Sequence, residues 1–589
     1  MSVQLAETPT EPRADAAEIA ARWLDSFARA LAARDAAALA GLFTADGHWR
    51  DVLAFTWDID THSGRAAIEA ALGPRLAPTA AKDVHIPPQR TAPRFVRRAG
   101  TDCVEAIFEF DTAFGHAAAV ARLVEQGGTW RAWTLLTTLE ELHGETDDRP
   151  PEVRDAEYYS RDFGGDNWLD QRHKAQAYED RDPVVLVVGG GQAGLSVAAR
   201  LRLLGVDTLI VDRHARIGDN WRKRYHSLTL HNEVHVNHLP LMPFPPTYPV
   251  FIPKDKLASW FETYVEALDL NYWTGTEMVA GRYDEAAKRW IVTLKRDGTE
   301  RTLRPRHIVF ATGVSAIPVW PDLPGLDAFK GEVVHSGDYT HGAAWKGRPA
   351  IVLGTGNSGH DVAQDLCASG AQVTIVQRSP TYIVSIREAQ KVYSIYTEGL
   401  PFEDCDLLAG ASPYPVLQRA YQLSTAEMRQ VDAKLLDGLK KRGFKLTFGE
   451  DDTGFQMMYL RRGGGYYFNV GCSDMIVDGR VKLLQYDAID RFEAGGARLK
   501  DGSLLPAELV VVATGYRNQQ ETARAWLGDA VADRIGPVWG FDAGGELANM
   551  WKRTPQPGLW FTAGSLAQCR IYSRYLALQI KALEDGLVA

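Results

Sequence analysis

PVVLVVGGGQAGLSVAARLRLLGVDTLIVDRHAR, residues 183–216, decides the fold of this 589-residue chain. Residues 184–188 form an unbroken apolar run, the pattern of a strand buried on both faces of a parallel sheet. Gly189, Gly191 and Gly194 follow at the spacing G-x-G-x-x-G. The first permits a tight turn, the second lets a pyrophosphate reach the backbone, and the third lets the next helix pack closely. Gln192 and Ala193 lie inside that turn and share its assignment to a cofactor. The helical pattern ends near Gly205, and a second apolar run, 208–211, stops at Asp212 with Arg213 beside it. An acidic residue about 20 positions after the glycine turn is placed to meet a ribose hydroxyl. A glycine turn alone says little. Strand, turn, helix and terminal acid together specify a dinucleotide-binding βαβ unit.

The same arrangement recurs further on. Residues 348–353 enter GTGNSG, which sets Gly354, Gly356 and Gly359 at the same steps with Asn357 and Ser358 between them. A helix and a strand, 371–376, follow, but the strand leads into Gln377-Arg378-Ser379 in place of an acid. Arg378 suits a ribose 2′-phosphate. One acid-ended and one arginine-ended turn imply two different dinucleotides, FAD in the first and NADPH in the second, with NADH as the alternative donor. Residues 308–313 and 509–516 are two more apolar runs ending in Ala-Thr-Gly, and Thr514 and Gly515 of the second are assigned to the cofactor. The chain is thus expected to leave the FAD domain, build the NADPH domain and return. Near the end, GLWFTAGSLAQ reads as a strand, a turn at Gly564 and a closing helix. The amino end of that helix faces the flavin, with Gln568 and Arg574 in reach.

Bulk properties narrow the class. Hydrophobic residues make up 45% and charged residues 24%, ordinary values for a globular protein. A net charge of −10 without a long basic block argues against nucleic-acid binding. The five cysteines contain no CxxC pair, which argues against a disulfide or lipoamide reductase and suits a reducing cytoplasm. No signal-peptide pattern opens the chain and no apolar run reaches the ~20 residues of a spanning helix, so no membrane partner is expected.

Before the first turn the pattern changes. Residues 1–12 read as a disordered tail, and 13–142 as helices followed by alternating strands such as 104–110 and 129–135, an α+β unit. This unit, around LFTADGHWRDVLAFTWDIDTHSGRAAI, resembles the NTF2-like (SnoaL-like) cone. His48, Asp51 and Asp60 are its pocket candidates, against a structural role as the commoner alternative. Residues 143–182 read as a linker whose Tyr158, Tyr159, Phe163 and Trp168 suggest packing along another domain. The FAD-binding domain is expected at 183–325 and 500–589. The NADPH-binding domain is expected at 326–499, with an aromatic-rich insertion at 380–470 as a roof for the substrate. The fold class is α/β with two Rossmann-like domains, preceded by the α+β cone.

Between the two turns lies FKGEVVHSGDY, residues 329–339. With the glycine turns and the ATGY of 513–516, its Phe329, Gly331, His335 and Tyr339 resemble the class B flavin-dependent monooxygenases, position by position, over about 180–589. The N-terminal extension is similar to that of type II flavin-containing monooxygenases, and YHSLTLHNEVHVNHLPLMPFPPTYPVFIPKDKL to plant YUCCA-type enzymes. The resemblance implies NADPH reduction of FAD, formation of a C4a-(hydro)peroxyflavin from O2, and transfer of one oxygen atom to a small molecule. That transfer is a Baeyer–Villiger oxidation of a ketone or an oxygenation of sulfur or nitrogen. A YUCCA-like decarboxylation of indole-3-pyruvate is the alternative, as are an uncoupled NADPH oxidase and a non-catalytic flavoprotein sensor. Animal members carry a flavin-side Asn where this chain has His231 and then Asn232, the two candidates for a donor beside the reactive flavin carbon. Asn220, Trp221 and Arg222 match the family's flavin-lining segment, Trp221 packing on the ring and Arg222 holding a phosphate or the ring edge. His335 is read as an orienting group near the nicotinamide or the domain hinge, within an interdomain strap. No metal is expected, and a homodimer is.

Overall fold

The structure, a computed structural model, describes residues 15–145 and 163–588. The expected tail at 1–12 and the linker residues Tyr158 and Tyr159 lie outside them. The chain divides into two compact units, one of residues 1–143 with 399–417, the other of 144–398 with 418–589.

In the first unit the helices Ala16–Ala33, Ala36–Gly41 and Arg65–Thr79 accompany a seven-stranded sheet. Asp15 caps the first helix, and its buried stripe includes Ile19, Trp23, Phe27 and Leu31 at helical spacing. Trp23 and Phe27 meet Phe108 of the strand Thr101–Asp111, with ring centroids 6.3 and 5.7 Å apart. Asp51 is fully buried and accepts from the Phe55 and Thr56 amides and the Thr56 and Thr137 hydroxyls. These bonds tie the turn at 55–56 to the strand Thr129–Leu142. Residues 399–417, part of the insertion expected over the substrate, belong to this unit instead. Arg122 explains why. It donates to the Leu408 and Ala411 carbonyls and to Ser412 Oγ, while Glu105 holds its Nε at 3.0 Å. Burial works against the charge of Glu105, but Arg98 and Arg122 bring its carboxyl down to about 2.

The second unit carries two five-stranded parallel sheets. The first runs Asn271–Trp273, Thr208–Val211, Val185–Val188, His307–Phe310, Leu559–Phe561. The second runs Glu332–His335, Leu509–Val512, Pro349–Leu353, Gln372–Gln377, Lys482–Gln485. The middle strands of both are buried apart from the first residues, Pro349 and Gln372, of two strands in the second sheet, as their apolar runs require.

Three expectations change. Leu509–Val512, expected in the domain of the first turn, is a central strand of the second sheet. The chain returns only after it, where Tyr516–Arg517 pairs antiparallel with the outgoing Ile317–Pro318. The expected interdomain strap is an edge strand of that sheet, Glu332–His335, paired with Leu509–Val512. A side chain at Gly331 would meet the Glu508 carbonyl at 2.4 Å, so glycine permits that pairing. Tyr339 closes the same domain by donating to Asp365 at 2.6 Å. Finally, Phe163 and Trp168 of the linker stand exposed, and docking falls instead to Tyr178, which donates to Asp207, and to Gln176, which accepts from Trp273.

Candidate functional site

Each parallel sheet ends in a glycine turn whose geometry follows from close packing. A Cβ at Gly189 would lie 2.5 Å from the Ala311 carbonyl, and one at Gly194 would lie 2.0 Å from the Gly189 carbonyl. The equivalents in the second turn are Gly354 against Ala513 at 2.3 Å and Gly359 against Gly354 at 2.1 Å. Gly189 and Gly354 also sit at φ 110 and 115°, where a side chain is strained. The helices Gln192–Leu203 and Asn357–Ala368 therefore start against the strand ends with their free N–H groups outward, ready for phosphate.

A cavity of about 1620 Å³ opens on these turns. From the first turn it takes Gly189, Gly191, Gln192 and Ala193, and beyond the second strand Asp212 and Arg213. Asp212 accepts from the Gly190 amide at 2.7 Å and from the His214 amide and ring. Burial opposes its charge, yet these donors hold its carboxyl below the usual range, so it is an anion facing the cavity. Asn220 and Trp221 line the wall, and Trp221 donates to Gln192, which donates to the Gly564 carbonyl. Gly564 lines the same wall. Asn357 and Ser358 bring in the second turn.

His231 and Asn232 also line the cavity. The His231 ring lies 4.7 Å from that of Phe468 at an exposed position on the cavity wall, and desolvation by the surrounding protein lowers its pKa, so it is a neutral imidazole at pH 7.

Other expected site residues lie elsewhere. Arg222 pairs with Asp219 and Glu262 and stands off the cavity, where its neighbours Lys223 and Arg224 take the wall. Gln568 completes a capping box with Ser565 and accepts from Tyr459, so its side chain holds the closing helix, Leu566–Glu584. Arg574 belongs to that helix and is likewise not in the cavity wall. Thr514 and Gly515 serve the domain crossing: Thr514 donates to the Val319 carbonyl at 2.7 Å, and Val319 donates to that of Gly515. His335 is buried beside Trp320 and Tyr516, its Nδ1 accepting from the Gly337 amide, and it does not reach the cavity. Gly356 opens the second helix, and a Cβ there would have nothing nearer than 3.8 Å. Arg378 is exposed at the end of its strand and pairs with no acid among the described residues.

Sequence reasoning missed several wall residues. Arg224 carries a buried Nε without a partner. Asp361, in the helix Asn357–Ala368 that follows the second turn, accepts from Tyr225, and burial raises its pKa to about 6. Tyr393, Phe455, Gln456, Tyr459, Tyr466 and Phe468 form an aromatic end. Only the aromatic richness of the insertion signalled them.

Two glycine-opened helices on one cavity, with an anchored acid beside the first, are the arrangement of an oxidoreductase with two dinucleotide-binding domains. The flavin-binding monooxygenase-like family model matches residues 182–404. The rice (Oryza sativa subsp. japonica) indole-3-pyruvate monooxygenase YUCCA1 is 30% identical over 363 residues, 62% of this chain and 83% of that one. A probable indole-3-pyruvate monooxygenase, YUCCA4 of Arabidopsis thaliana, is 30% identical over 57% of this chain and 76% of its own length. Cyclohexanone monooxygenase from Rhodococcus sp. Phi1, bound to NADP+, shares the fold at a TM-score of 0.50 and 18% identity, over 69% of this chain and 84% of that one. The chain belongs to the flavin-binding monooxygenase-like family, the class B flavin monooxygenases, whose cofactors are FAD and NADPH. The residues present fit both: the first turn offers a bare backbone and an anchored carboxylate, the second a bare backbone and the Arg378 guanidinium.

Proposed function

We propose that this chain uses NADPH and bound FAD to insert one atom of O2 into a small organic substrate, as a Baeyer–Villiger oxidation of ketones or an oxygenation of sulfur or nitrogen. The observation that supports this most is the single cavity, within one unit, that touches both glycine turns and ends in aromatic side chains. When bound, the flavin supplies hydride acceptance and dioxygen activation. The chain's residues do the rest. Gly189, Gly191 and the helix behind them receive the FAD pyrophosphate, and Asp212 receives its ribose. Gly356, Asn357 and Ser358 receive the nicotinamide cofactor, with Arg378 on its 2′-phosphate. Neutral His231 and the Asn232 amide offer uncharged polar groups at the reacting end, and the surrounding aromatics exclude water.

The YUCCA relatives keep a decarboxylating attack on a 2-oxo acid as a second reading. The seven-stranded sheet of the first unit and the three helices that precede residue 143 are read as an NTF2-like cone that clasps the unit's own residues 399–417. The test is turnover of the FAD-loaded protein with NADPH against ketones, thioethers, tertiary amines and 2-oxo acids, with oxygenated product and hydrogen peroxide both quantified. Product matching NADPH consumption is expected. Peroxide equal to NADPH with every compound would refute the proposal.

A further inference from the structure

The aromatic end of the cavity has a polar centre at a single tyrosine. Tyr393 interrupts the 3-10 run Gln390–Thr397 with φ −103° and ψ 15°, the sparsely populated bridge region where active-site residues recur. The run is fixed at its start. Gln390 donates to the His231 carbonyl at 2.8 Å and accepts from the Glu233 amide at 3.2 Å, tying it to the segment that carries His231 and Asn232. The kinked residue lines the cavity, and its hydroxyl faces the side-chain amides of Asn232 and Gln456, both also on the wall. A phenol hydroxyl carries one proton that it can give to an acceptor in the cavity. Burial raises the hydroxyl's pKa, so the group keeps that proton at neutral pH.

The surroundings say what would take the proton. Phe455, Tyr466 and Phe468 supply ring faces, with the neutral His231 ring against Phe468. Among the described residues, the wall contributed by segments 386–393 and 455–470 includes no lysine or arginine. The cavity's cations, Arg213, Lys223 and Arg224, all come from the segment that follows the first turn. A carboxylate at the aromatic end would be desolvated without a partner, which is strongly unfavourable. An uncharged carbonyl compound with an apolar ring suits it.

Resting on the monooxygenase reading, we propose that Tyr393, beside Asn232 and Gln456 on the cavity wall, donates a hydrogen bond to the carbonyl oxygen of an uncharged, ring-bearing ketone. The segment thereby selects against 2-oxo acids. The test uses the FAD-loaded protein with NADP+ and measures equilibrium binding of three probes. These are 4-phenylcyclohexanone, its exocyclic methylene analogue, in which C=CH2 replaces C=O, and phenylpyruvate. Tyr393→Phe should weaken the ketone about tenfold, the size of one neutral hydrogen bond, and leave the methylene analogue within about twofold. The wild type should bind phenylpyruvate more weakly than the ketone. Equal losses for ketone and methylene analogue, or no loss for the ketone, would overturn the contact. Tighter binding of phenylpyruvate would overturn the substrate class. Selective ketone binding with peroxide equal to NADPH, and no oxygenated product from ketones, thioethers, tertiary amines or 2-oxo acids, would leave the contact standing and refute the monooxygenase reading instead.

Discussion

The second glycine turn separates a steric role from a binding role within three residues. Gly356 has φ −81° and ψ −171°, a conformation any residue adopts, and a Cβ there would find nothing closer than 3.8 Å. Gly356→Ala should therefore be neutral or slightly stabilising for the fold, by up to about 1 kcal/mol. Its methyl group would instead stand where a pyrophosphate approaches the helix N-terminus. Displacing that group loses one or two charge-assisted hydrogen bonds at about 1.5–3 kcal/mol each, or roughly 10- to 100-fold or more in NADPH affinity. Gly359 makes the opposite case. Its Cβ would overlap the Gly354 carbonyl at 2.1 Å, where ordinary contact begins at 3.4 Å, so the helix must move outward by more than an ångström. Gly359→Ala should cost about 1–3 kcal/mol of stability whether or not NADPH is present. Thermal melting of the FAD-loaded variants, with and without NADP+, together with the KM for NADPH, reads both effects. A Gly356→Ala protein that melts early, or that keeps wild-type KM, would refute the division of roles.

Arg378→Ala should raise the KM for NADPH about 10- to 100-fold while moving that for NADH less than about threefold, if the exposed guanidinium, which pairs with no acid among the described residues, meets the 2′-phosphate as proposed; steady-state kinetics with both donors checks it, and equal losses would contradict it. The first unit should loosen in acid. Glu105 has its folded pKa depressed from 4.5 to about 2, so its contribution is complete above pH 4.5 and disappears as pH falls towards 2. The shift corresponds to about 3 kcal/mol, and circular dichroism against pH should show the loss in the wild type and an already destabilised, flatter profile in Glu105→Gln. Tyr459→Phe, which takes one donor from Gln568, should lower the melting temperature by about 1–4 °C without altering cofactor preference.

What the sequence disclosed followed from steric rules that act locally. Glycine at 189, 194, 354 and 359 is required by backbone contacts that any such turn makes, so both fingers were legible together with their strands and helices. Sheet membership was less so. The runs 308–310 and 509–512 are equally apolar, and only tertiary pairing sends the second to the other sheet. Arg222 and Gln568 read as cofactor ligands in the sequence, whereas in the fold Arg222 pairs with Asp219 and Glu262 and the Gln568 oxygen caps the closing helix. Arg222 reaches Glu262 across 40 residues, a pairing no local pattern reveals. The clasp on 399–417 comes from Arg122, nearly 290 positions away from its acceptors. Tyr393 has no periodic signature at all. It is visible only through a backbone kink and the cavity it faces.

The central claim concerns the fate of molecular oxygen. Turnover of the FAD-loaded protein with NADPH and 4-phenylcyclohexanone under 18O2, followed by mass spectrometry, tests it directly. One labelled atom in the lactone and one NADPH consumed per product are expected. Unlabelled product, or labelled peroxide without any lactone or other oxygenated compound, would contradict the account.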